Sequence, residues 1–339
     1  MTILVNLEGN IMSDILLAKP ILPDGWIDLS VGEATLIRES FLKYFKLSLS
    51  QASLEGLLEY PPPNGTKELV SLLEEKYQAP VIVTNGAKQS LGAAFYALKK
   101  RGRTRVDMHS PWWALIPPLM NAHGVHHSHS GSDAKLCLLP NNPDGHMMSP
   151  EEIRTIVAMC KGQGIPLIHD AVYYTHSYLP ESFPLDPFGD LQIFSASKMY
   201  GLSGLRLGYI VCHNKDYYRD LCEYMEMMTV GVSTAAQELL ASILRQEKIV
   251  GKKFELESYS SLQKAKLLFK TINPEVVTVP SNFEEIAGMF AWVKVKNKAA
   301  LTAAKINVID GAVFGDDRFI RMNLAVPEDV LQEVVDRLK

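Results

Sequence analysis

Apolar and polar positions form two kinds of segment along most of the chain. Short apolar runs are typical of buried strands, whereas longer segments with apolar residues three and four positions apart predict helices. The predicted strands are 80–84, 105–108, 135–139, 165–169, 191–194 and 207–212. Helices are predicted between several of them, at 66–77, 87–100 and 150–161. Strands that alternate with helices favour an α/β fold, in which a mostly parallel sheet has helices on both faces.

The pattern changes after residue 215. Three long helices, two strands and a last helix are predicted, at 217–228, 234–245, 254–272, 289–295, 318–323 and from about 328. This is the pattern of a smaller α+β domain. We therefore expect a large domain at 36–235 and a small C-terminal domain at 236–339, with 1–35 as an N-terminal segment that packs on the small domain or on a partner subunit.

Composition narrows the class of protein. The 339 residues include 34 Lys and Arg against 38 Asp and Glu, a formal charge of −4, which excludes a generally basic nucleic-acid binder. No apolar run has the roughly 18 residues of a membrane-spanning helix, and the N-terminus lacks the regions of a secretory signal. Four cysteines without a CxxC pair predict buried free thiols. We expect a cytoplasmic protein with no membrane or nucleic-acid partner.

The strongest local motif is the segment SASKMYGLSGLRLG at 195–208. Lys198 in such a place can stay partly neutral through burial and nearby cations, as a Schiff-base nucleophile requires. Ser195, Ser197 and Arg206 supply hydroxyl and guanidinium donors that suit a phosphate. An isolated motif of this kind is more often a glycine-rich turn with an exposed lysine and a surface arginine.

Further candidates follow other predicted strands. Asp170 lies at the carboxyl end of strand 165–169, where ligands of open α/β sheets bind. If a planar cofactor binds here, the carboxylate of Asp170 would pair with a protonated nitrogen of the cofactor ring. Tyr173 and the amide of Asn142 would reach an oxygen of the same ring. Ordinary turns also explain these residues, because Asp and Asn favour turns and helix caps.

A βα turn and a tryptophan complete the candidate set. Gly86, Ala87 and Lys88 begin a predicted helix, and the backbone N–H groups of a helix N-terminus make an anion site. Trp113 follows a strand and can stack on a planar cofactor. The alternatives are an ordinary turn and a core tryptophan.

Six motifs in order carry a family resemblance. TNGAKQ, PWW, NNPDG, DAVYY, SASKMYGLSGLRLG and FIRMNLA resemble those of class I/II aminotransferases, which are pyridoxal-phosphate enzymes of fold type I. The resemblance extends from about residue 60 to residue 321. Within the family, NNPDG, DAVYY and GLSGLRLGY favour the branch of plant alliinases and tryptophan aminotransferases. The resemblance implies the fold type I architecture, pyridoxal 5'-phosphate as cofactor and a homodimer.

The resemblance implies how the cofactor ring is held. Lys198 would form the Schiff base, or aldimine, and then shuttle the proton. Asp170 would pair with the pyridinium nitrogen. Tyr173 and Asn142 would bond the phenolic oxygen, and Trp113 would stack on the ring.

It also implies how phosphate and substrate are bound. The phosphate would be held by Ser195, Ser197, Arg206 and the backbone of Gly86, Ala87 and Lys88, with Tyr60 reaching it from the neighbouring subunit. Arg321 would clamp the substrate α-carboxylate, beside Gly32 and Asn142. Strand alternation places Arg321 on one face with Phe319 and Asn323. The alternative is an Arg321 that pairs with an internal acid.

A histidine-rich stretch is a further candidate for chemistry. His123, His126, His127 and His129 have a spacing that can bind a transition metal. No cysteine or carboxylate with matching spacing accompanies them, apart from Asp133. We therefore expect a strand edge or loop at this place and no functional metal.

The expected function is that of an enzyme. A pyridoxal-phosphate-dependent aminotransferase would move an amino group between an L-amino acid and a 2-oxo acid by way of Lys198. A β-eliminating C–S lyase starts from the same chemistry and is the alternative. A non-catalytic regulatory module that binds pyridoxal phosphate is disfavoured, because the catalytic set is complete and no basic tract is present.

Overall fold

The computed structural model of the protein describes residues 20–49, 59–174 and 188–339. Its strands are β1 (Ile27–Asp28), β2 (Val81–Thr84), β3 (Arg105–Met108), β4 (His126–His127), β5 (Ala134–Leu138), β6 (Leu167–Asp170), β7 (Leu191–Ser195), β8 (Gly208–Cys212), β9 (Val277–Thr278), β10 (Phe290–Val295), β11 (Ile306–Asn307), β12 (Ile309–Asp310) and β13 (Phe319–Asn323). Its α-helices are α1 (Thr35–Tyr44), α2 (Lys67–Tyr77), α3 (Ala87–Lys100), α4 (Ile116–Ala122), α5 (Pro150–Gln163), α6 (Ala196–Met199), α7 (Tyr218–Thr229), α8 (Thr234–Val250), α9 (Lys253–Phe269), α10 (Lys298–Ala303) and α11 (Glu328–Arg337).

Seven strands of the described residues form the central sheet. Their order is β2–β8–β7–β6–β5–β3–β4. The five neighbouring strands β7, β6, β5, β3 and β4 are parallel to one another. β8 is antiparallel to both of its neighbours, β7 and β2. Most of their residues are buried, which fits strands covered by helices on both faces. The α/β fold with a mostly parallel sheet is therefore confirmed.

The bounds of several elements differ from the sequence prediction where proline or glycine intervenes. β6 begins at Leu167, because Pro166 has no N–H to donate and the N–H of Ile165 bonds a carbonyl of α5 at 2.9 Å. α8 continues beyond the predicted end at 245 to Val250. It stops at Gly251, whose φ of 59° is left-handed.

A second, antiparallel sheet lies in the C-terminal part of the chain. Its order is β12–β13–β10–β9, and Arg321 of β13 pairs with Trp292 of β10. α9 packs against α11 on this side of the protein. The sheet therefore places Arg321 on a strand that has a neighbour on each side.

The residues before the central sheet pack on this C-terminal part. β1 pairs in parallel with β11, and the N–H of Asn323 donates to the carbonyl of Leu29 at 2.8 Å. α1 packs against α9. Since α1 belongs to the expected 36–235 domain, these contacts run across the expected boundary, and the division at 36–235 and 236–339 stays a prediction. Residues 1–19 of the expected N-terminal segment lie outside the described residues.

The carboxyl ends of the parallel strands position three candidate side chains. Asn142 follows β5, Asp170 is the last residue of β6, and Lys198 follows β7. Because parallel neighbours end at the same edge of a sheet, the three residues lie along one edge, where ligands of such sheets bind.

Three of the four cysteines are buried, as the sequence predicts. All are free thiols: Cys137, Cys160 and Cys212 are buried as expected. The expectation of burial is wrong for Cys222, which is partly exposed because it lies on the surface helix α7. Within the described residues, no helix has both the length and the apolar character that crossing a bilayer requires.

Helix α5 begins with a reciprocal pair of hydrogen bonds. Ser149 Oγ accepts the N–H of Glu152 at 3.2 Å, and Glu152 Oε2 accepts the N–H of Ser149 at 2.7 Å. Pro150 occupies the first helical position, where its missing N–H costs nothing. This capping box fixes the start of the helix that joins β5 to β6.

Substitution of the capping residue tests this local contribution. Ser149→Ala should lower the free energy of unfolding by about 1 kcal/mol, because it leaves the N–H of Glu152 without its acceptor. Urea titration followed by circular dichroism measures the change. Thr155→Ala is the matched control: its Oγ1 only bonds the Glu151 carbonyl within the same helix, so its effect should stay within about 0.5 kcal/mol. Equal effects of the two substitutions would contradict the capping role.

Candidate active site

Lys198 lies at the centre of the candidate site. It follows β7 in the short helix α6, whose start is capped by Ser195 Oγ, an acceptor for the Ser197 N–H at 3.3 Å. Lys198 Nζ donates to the carbonyl of Gly32. Burial and the nearby charge of Arg321 lower the pKa of Lys198 to about 8. The neutral, nucleophilic form of this amine is therefore far more populated near neutral pH than that of an ordinary lysine.

Gly32 permits this close approach of backbone and lysine. A Cβ added at Gly32 would lie 3.1 Å from Cζ of Phe290 and 3.5 Å from Nζ of Lys198. A side chain here would therefore crowd the ring of Phe290 and lie in contact with the lysine amine. Gly32 thus lies beside Lys198, and its expected role at the substrate stays a prediction.

Arg321 is buried on the second sheet with only neutral partners. Its exposed fraction is 5%. Nη1 donates to Oδ1 of Asn142 at 2.9 Å, Nη2 donates to the carbonyl of Ser30 at 2.8 Å, and the guanidinium carbon lies 4.2 Å from the ring centroid of Phe290. Burial lowers its pKa to about 10.

Two features of Arg321 suit an anion. Its Nε is buried and has no hydrogen-bond partner within residues 20–49, 59–174 and 188–339. Among the described residues, no carboxylate forms an ion pair with it, so the alternative of an internal acid has no support in that part of the chain. A buried guanidinium without a counter-charge is costly unless an anion meets it.

Asn142, Tyr173 and Asp170 form the next group. Asn142 Nδ2 donates to the hydroxyl of Tyr173 at 3.4 Å, so this amide bridges Tyr173 and Arg321. Asp170 is 8% exposed, and its Oδ1 accepts the N–H of Val172 at 3.2 Å. Burial raises the pKa of Asp170 to about 7 and also raises the pKa of Tyr173.

The βα turn before α3 meets Arg206. Gly86 has a φ of 81°, and a Cβ added there would lie 3.0 Å from Nη2 of Arg206. Ala87 and Lys88 follow as the first residues of α3. Burial and the charge of Arg206 lower the pKa of Lys88. The helix N-terminus and two cations thus form an electropositive corner that suits a phosphate.

Trp113 lies beside this corner, and Tyr60 does not. Nζ of Lys88 is 5.7 Å from the ring centroid of Trp113. Tyr60 is 87% exposed. Within this single chain it therefore stands apart from the group, and its expected role at a neighbouring subunit's phosphate stays a prediction.

Sequence reasoning missed the aromatic side of the site. Phe290 contacts Gly32 and Arg321, and its ring centroid lies 5.5 Å from that of Tyr173. Ser30 supplies a carbonyl to Arg321. Strand alternation marks Phe290 as one of several apolar residues of a predicted strand, but only the pairing of β10 with β13 places it on Arg321.

The lowered pKa of Lys198 gives a direct test of this geometry. Deprotonation removes the cation, so the reactivity of the ligand-free protein's Lys198 should rise with pH through a midpoint near 8. Competitive labelling with trace acetic anhydride, followed by peptide mass spectrometry, measures this midpoint. Arg321→Gln should raise it, because the Arg321 charge lowers the pKa.

The control is a substitution at Arg318, the exposed arginine directly before β13. Arg318, whose side chain is 72% exposed, pairs with Asp316, so Arg318→Gln should leave the midpoint unchanged. A Lys198 midpoint at the ordinary value of 10.5 would show that the lysine is solvated and not enclosed as described.

Comparison with known proteins places this site in a family. Residues 136–338, more than half of the chain, match the family model described as Aminotransferase class I and II. Tryptophan aminotransferase-related protein 2 of Arabidopsis thaliana is 29% identical over 70% of this chain and 60% of its own length. A probable aspartate/prephenate aminotransferase of Aquifex aeolicus is 26% identical over 92% of this chain and 90% of its own length. The chain thus spans 60% of the Arabidopsis relative.

Solved structures share the fold. Aspartate aminotransferase from Thermotoga maritima has a TM-score of 0.70 at 21% identity, and a double mutant of the Thermus thermophilus aspartate aminotransferase has a TM-score of 0.77 at 20% identity. Each alignment covers 92% of this chain and 90% of the other. These structures confirm the expected fold type I architecture, and the family match confirms the resemblance seen in the motifs. The chain belongs to the class I and II aminotransferase family.

Proposed function

We propose that the protein is a pyridoxal-phosphate-dependent aminotransferase that moves an amino group between an L-amino acid and a 2-oxo acid. One observation carries the proposal. Lys198 follows β7 at the sheet edge where the neighbouring parallel strand β6 ends in the buried carboxylate of Asp170. The charge of the buried Arg321 guanidinium adds to burial in lowering the pKa of this lysine to about 8. The membership of the aminotransferase family supports it, as do the relatives and solved structures named as aminotransferases.

The carboxylate of Asp170 fits the ring nitrogen of the cofactor. Burial raises its pKa to about 7, and no described cation forms an ion pair with it. A buried carboxylate of this kind is stabilised by a positive charge that arrives with a ligand. A protonated pyridine nitrogen supplies such a charge.

The corner formed by Gly86, Lys88 and Arg206 fits the phosphate. A Cβ at Gly86 would fill the space next to the Arg206 guanidinium. Ala87 begins a helix of 14 residues, so the N–H groups of a full helix face this space. Ser195 and Ser197 lie on the same side at the start of α6 and are proposed as further phosphate ligands.

The chain's own residues then have defined tasks. When bound, pyridoxal phosphate acts as an electron sink for the charge left on the substrate carbon. Lys198 would hold the cofactor and, once released, its neutral amine would carry the proton from the substrate Cα. Asn142 and Tyr173 would orient the ring through its oxygen, and Trp113 would cover its face.

Arg321 would bind the substrate α-carboxylate. Its Nη1 and Nη2 are held by Asn142 and Ser30, which fixes the plane of the guanidinium. Its unpartnered Nε remains available to an anion. A planar guanidinium matches a carboxylate with two parallel hydrogen bonds, which gives the substrate one orientation.

A homodimer and a cytoplasmic location belong to the same proposal. Tyr60 is exposed together with Met227, Met228 and Val230, and a Cβ at Gly231 would lie 2.7 Å from Cγ of Pro61, so the two segments adjoin. A second subunit would cover this apolar surface. The four free cysteines are in keeping with a reducing compartment.

A product assay tests the proposed function. With a panel of amino acids, product should form only when a 2-oxo acid is present, because the amino group needs an acceptor. Lys198→Ala should abolish both this transfer and the borohydride-sensitive visible absorption of the purified protein. Release of ammonia and pyruvate without an acceptor would instead support the β-eliminating lyase, which the named relatives do not favour.

The clamp role of Arg321 gives a further prediction. Arg321→Lys should raise the KM for amino acid and 2-oxo acid by about tenfold to a hundredfold, since a hydrogen bond to a charged group contributes about 1.5–3 kcal/mol. Steady-state kinetics measures the change, and the visible spectrum should stay intact. Arg318→Lys, at an exposed position, is the control.

The decisive comparison uses the amine that lacks the carboxylate. If Arg321→Lys weakens this analogue as much as the amino acid, Arg321 is a structural residue and the clamp lies elsewhere.

A further inference from the structure

The histidine-rich stretch does not form the cluster that its spacing suggests. His123 bonds the Leu119 carbonyl at 2.8 Å and the Tyr224 hydroxyl at 3.3 Å. His126 is exposed on strand β4. Asp133, the one carboxylate with suitable spacing, accepts the N–H of Arg105 at 2.8 Å. These three residues therefore have separate surroundings.

A different carboxylate approaches the remaining two histidines. Parallel pairing of β3 with β4 sets Val106 opposite His127, so Asp107 lies next to the end of β4. One ligand atom each from Asp107, His127 and His129 lies within 4.8 Å of the others, the one such group in the described part of the chain. Nδ1 of His129 is 3.1 Å from Oδ1 of Asp107. The ring centroids of the two histidines are 4.3 Å apart.

His127 is ready to donate a lone pair. Its Nε2 is buried and has no hydrogen-bond partner among the residues that the structure describes. An imidazole nitrogen whose lone pair is not engaged by a hydrogen-bond donor is what a metal ligand requires.

Asp107 keeps one carboxylate oxygen on the side of the histidines. Lys135 Nζ bonds Oδ2 at 2.6 Å. Oδ1 therefore remains on the side of His129, and Lys135 orients the carboxylate from behind as outer-shell partners of metal ligands do.

We propose that Asp107, His127 and His129 bind a divalent transition-metal ion of the zinc class. Two imidazole nitrogens and one carboxylate oxygen are a donor set that suits zinc, copper or nickel better than magnesium or calcium. Three protein ligands leave the remaining positions to water. The site is independent of the proposed transaminase function and replaces the sequence expectation that the histidine stretch holds no metal.

The ion would join two segments at the edge of the central sheet. Asp107 belongs to β3, which leads to Trp112 and Trp113, while the histidines belong to β4 and the residues after it. The ring of His127 packs against Trp112, with centroids 4.7 Å apart. A bound ion would therefore brace the segment that ends at Trp113, and Trp112 provides a fluorescent reporter.

Metal binding is measured on the purified, tag-free, cofactor-loaded protein after treatment with a chelator. Equilibrium dialysis against micromolar zinc should give one ion per chain. His127→Gln and His129→Gln should each weaken binding at least about tenfold, because even outer-shell substitutions at metal sites have effects of this size. His129 is 69% exposed, so its substitution leaves the fold intact. His126→Gln, at the adjacent exposed position, should leave the affinity unchanged.

Two further results decide between sites. Copper should quench tryptophan fluorescence in the parent protein, and Trp112→Phe should remove most of this quenching. His109 and His146 form another imidazole pair, with centroids 4.4 Å apart, so His109→Gln is a second control that should not change zinc affinity. Absence of zinc binding, or binding that survives both His127→Gln and His129→Gln, would overturn the proposal.

Discussion

The buried positive charge of Arg321 is the constraint on which the candidate site depends. No described carboxylate balances it, and a buried charge is costly without compensation. Three parts of the chain meet to hold it: Ser30 from the N-terminal side, Asn142 from the carboxyl edge of the central sheet and Phe290 from the second sheet. The arrangement stabilises the guanidinium only in part, because Nε has no hydrogen-bond partner in the described part of the chain. An anionic ligand can supply the electrostatic stabilisation that the buried guanidinium still lacks.

Lys198 is coupled to the same charge. The Arg321 cation adds to burial in lowering the pKa of the amine, and the Gly32 carbonyl holds its Nζ. An anion that binds at Arg321 therefore also weakens the repulsion felt by a protonated Lys198. Asp170 differs from Lys198 in the charge that it lacks: burial disfavours its carboxylate, and a nearby cation would stabilise it. We therefore expect the site to favour a ligand that brings a negative group to Arg321 and a positive group to Asp170.

Local sequence patterns predict the elements well and their partners less well. The strand-end argument predicts the place of Asp170, and the family motifs group Asn142 and Lys198 with it. The structure places all three along one edge of the sheet, because the carboxyl ends of parallel strands meet there. The sequence does not predict Phe290 as a site residue. Its contact with Arg321 depends on the antiparallel pairing of β10 and β13, which apolar alternation does not specify. The role expected of Tyr60 depends on a neighbouring subunit, so a single chain, in which its side chain is exposed, does not test it.

The carboxyl edge of the central sheet also explains why the two proposed sites differ in character. Asp170 and Lys198 follow inner strands, and Gly32 and Arg321 enclose them from the other side, so burial shifts their pKa values strongly. The outer end of the same edge is β4, beyond which no described strand follows. His129 there is mostly exposed and keeps access to solvent. One end of the edge thus suits an enclosed organic ligand, whereas the other suits an ion that exchanges with water.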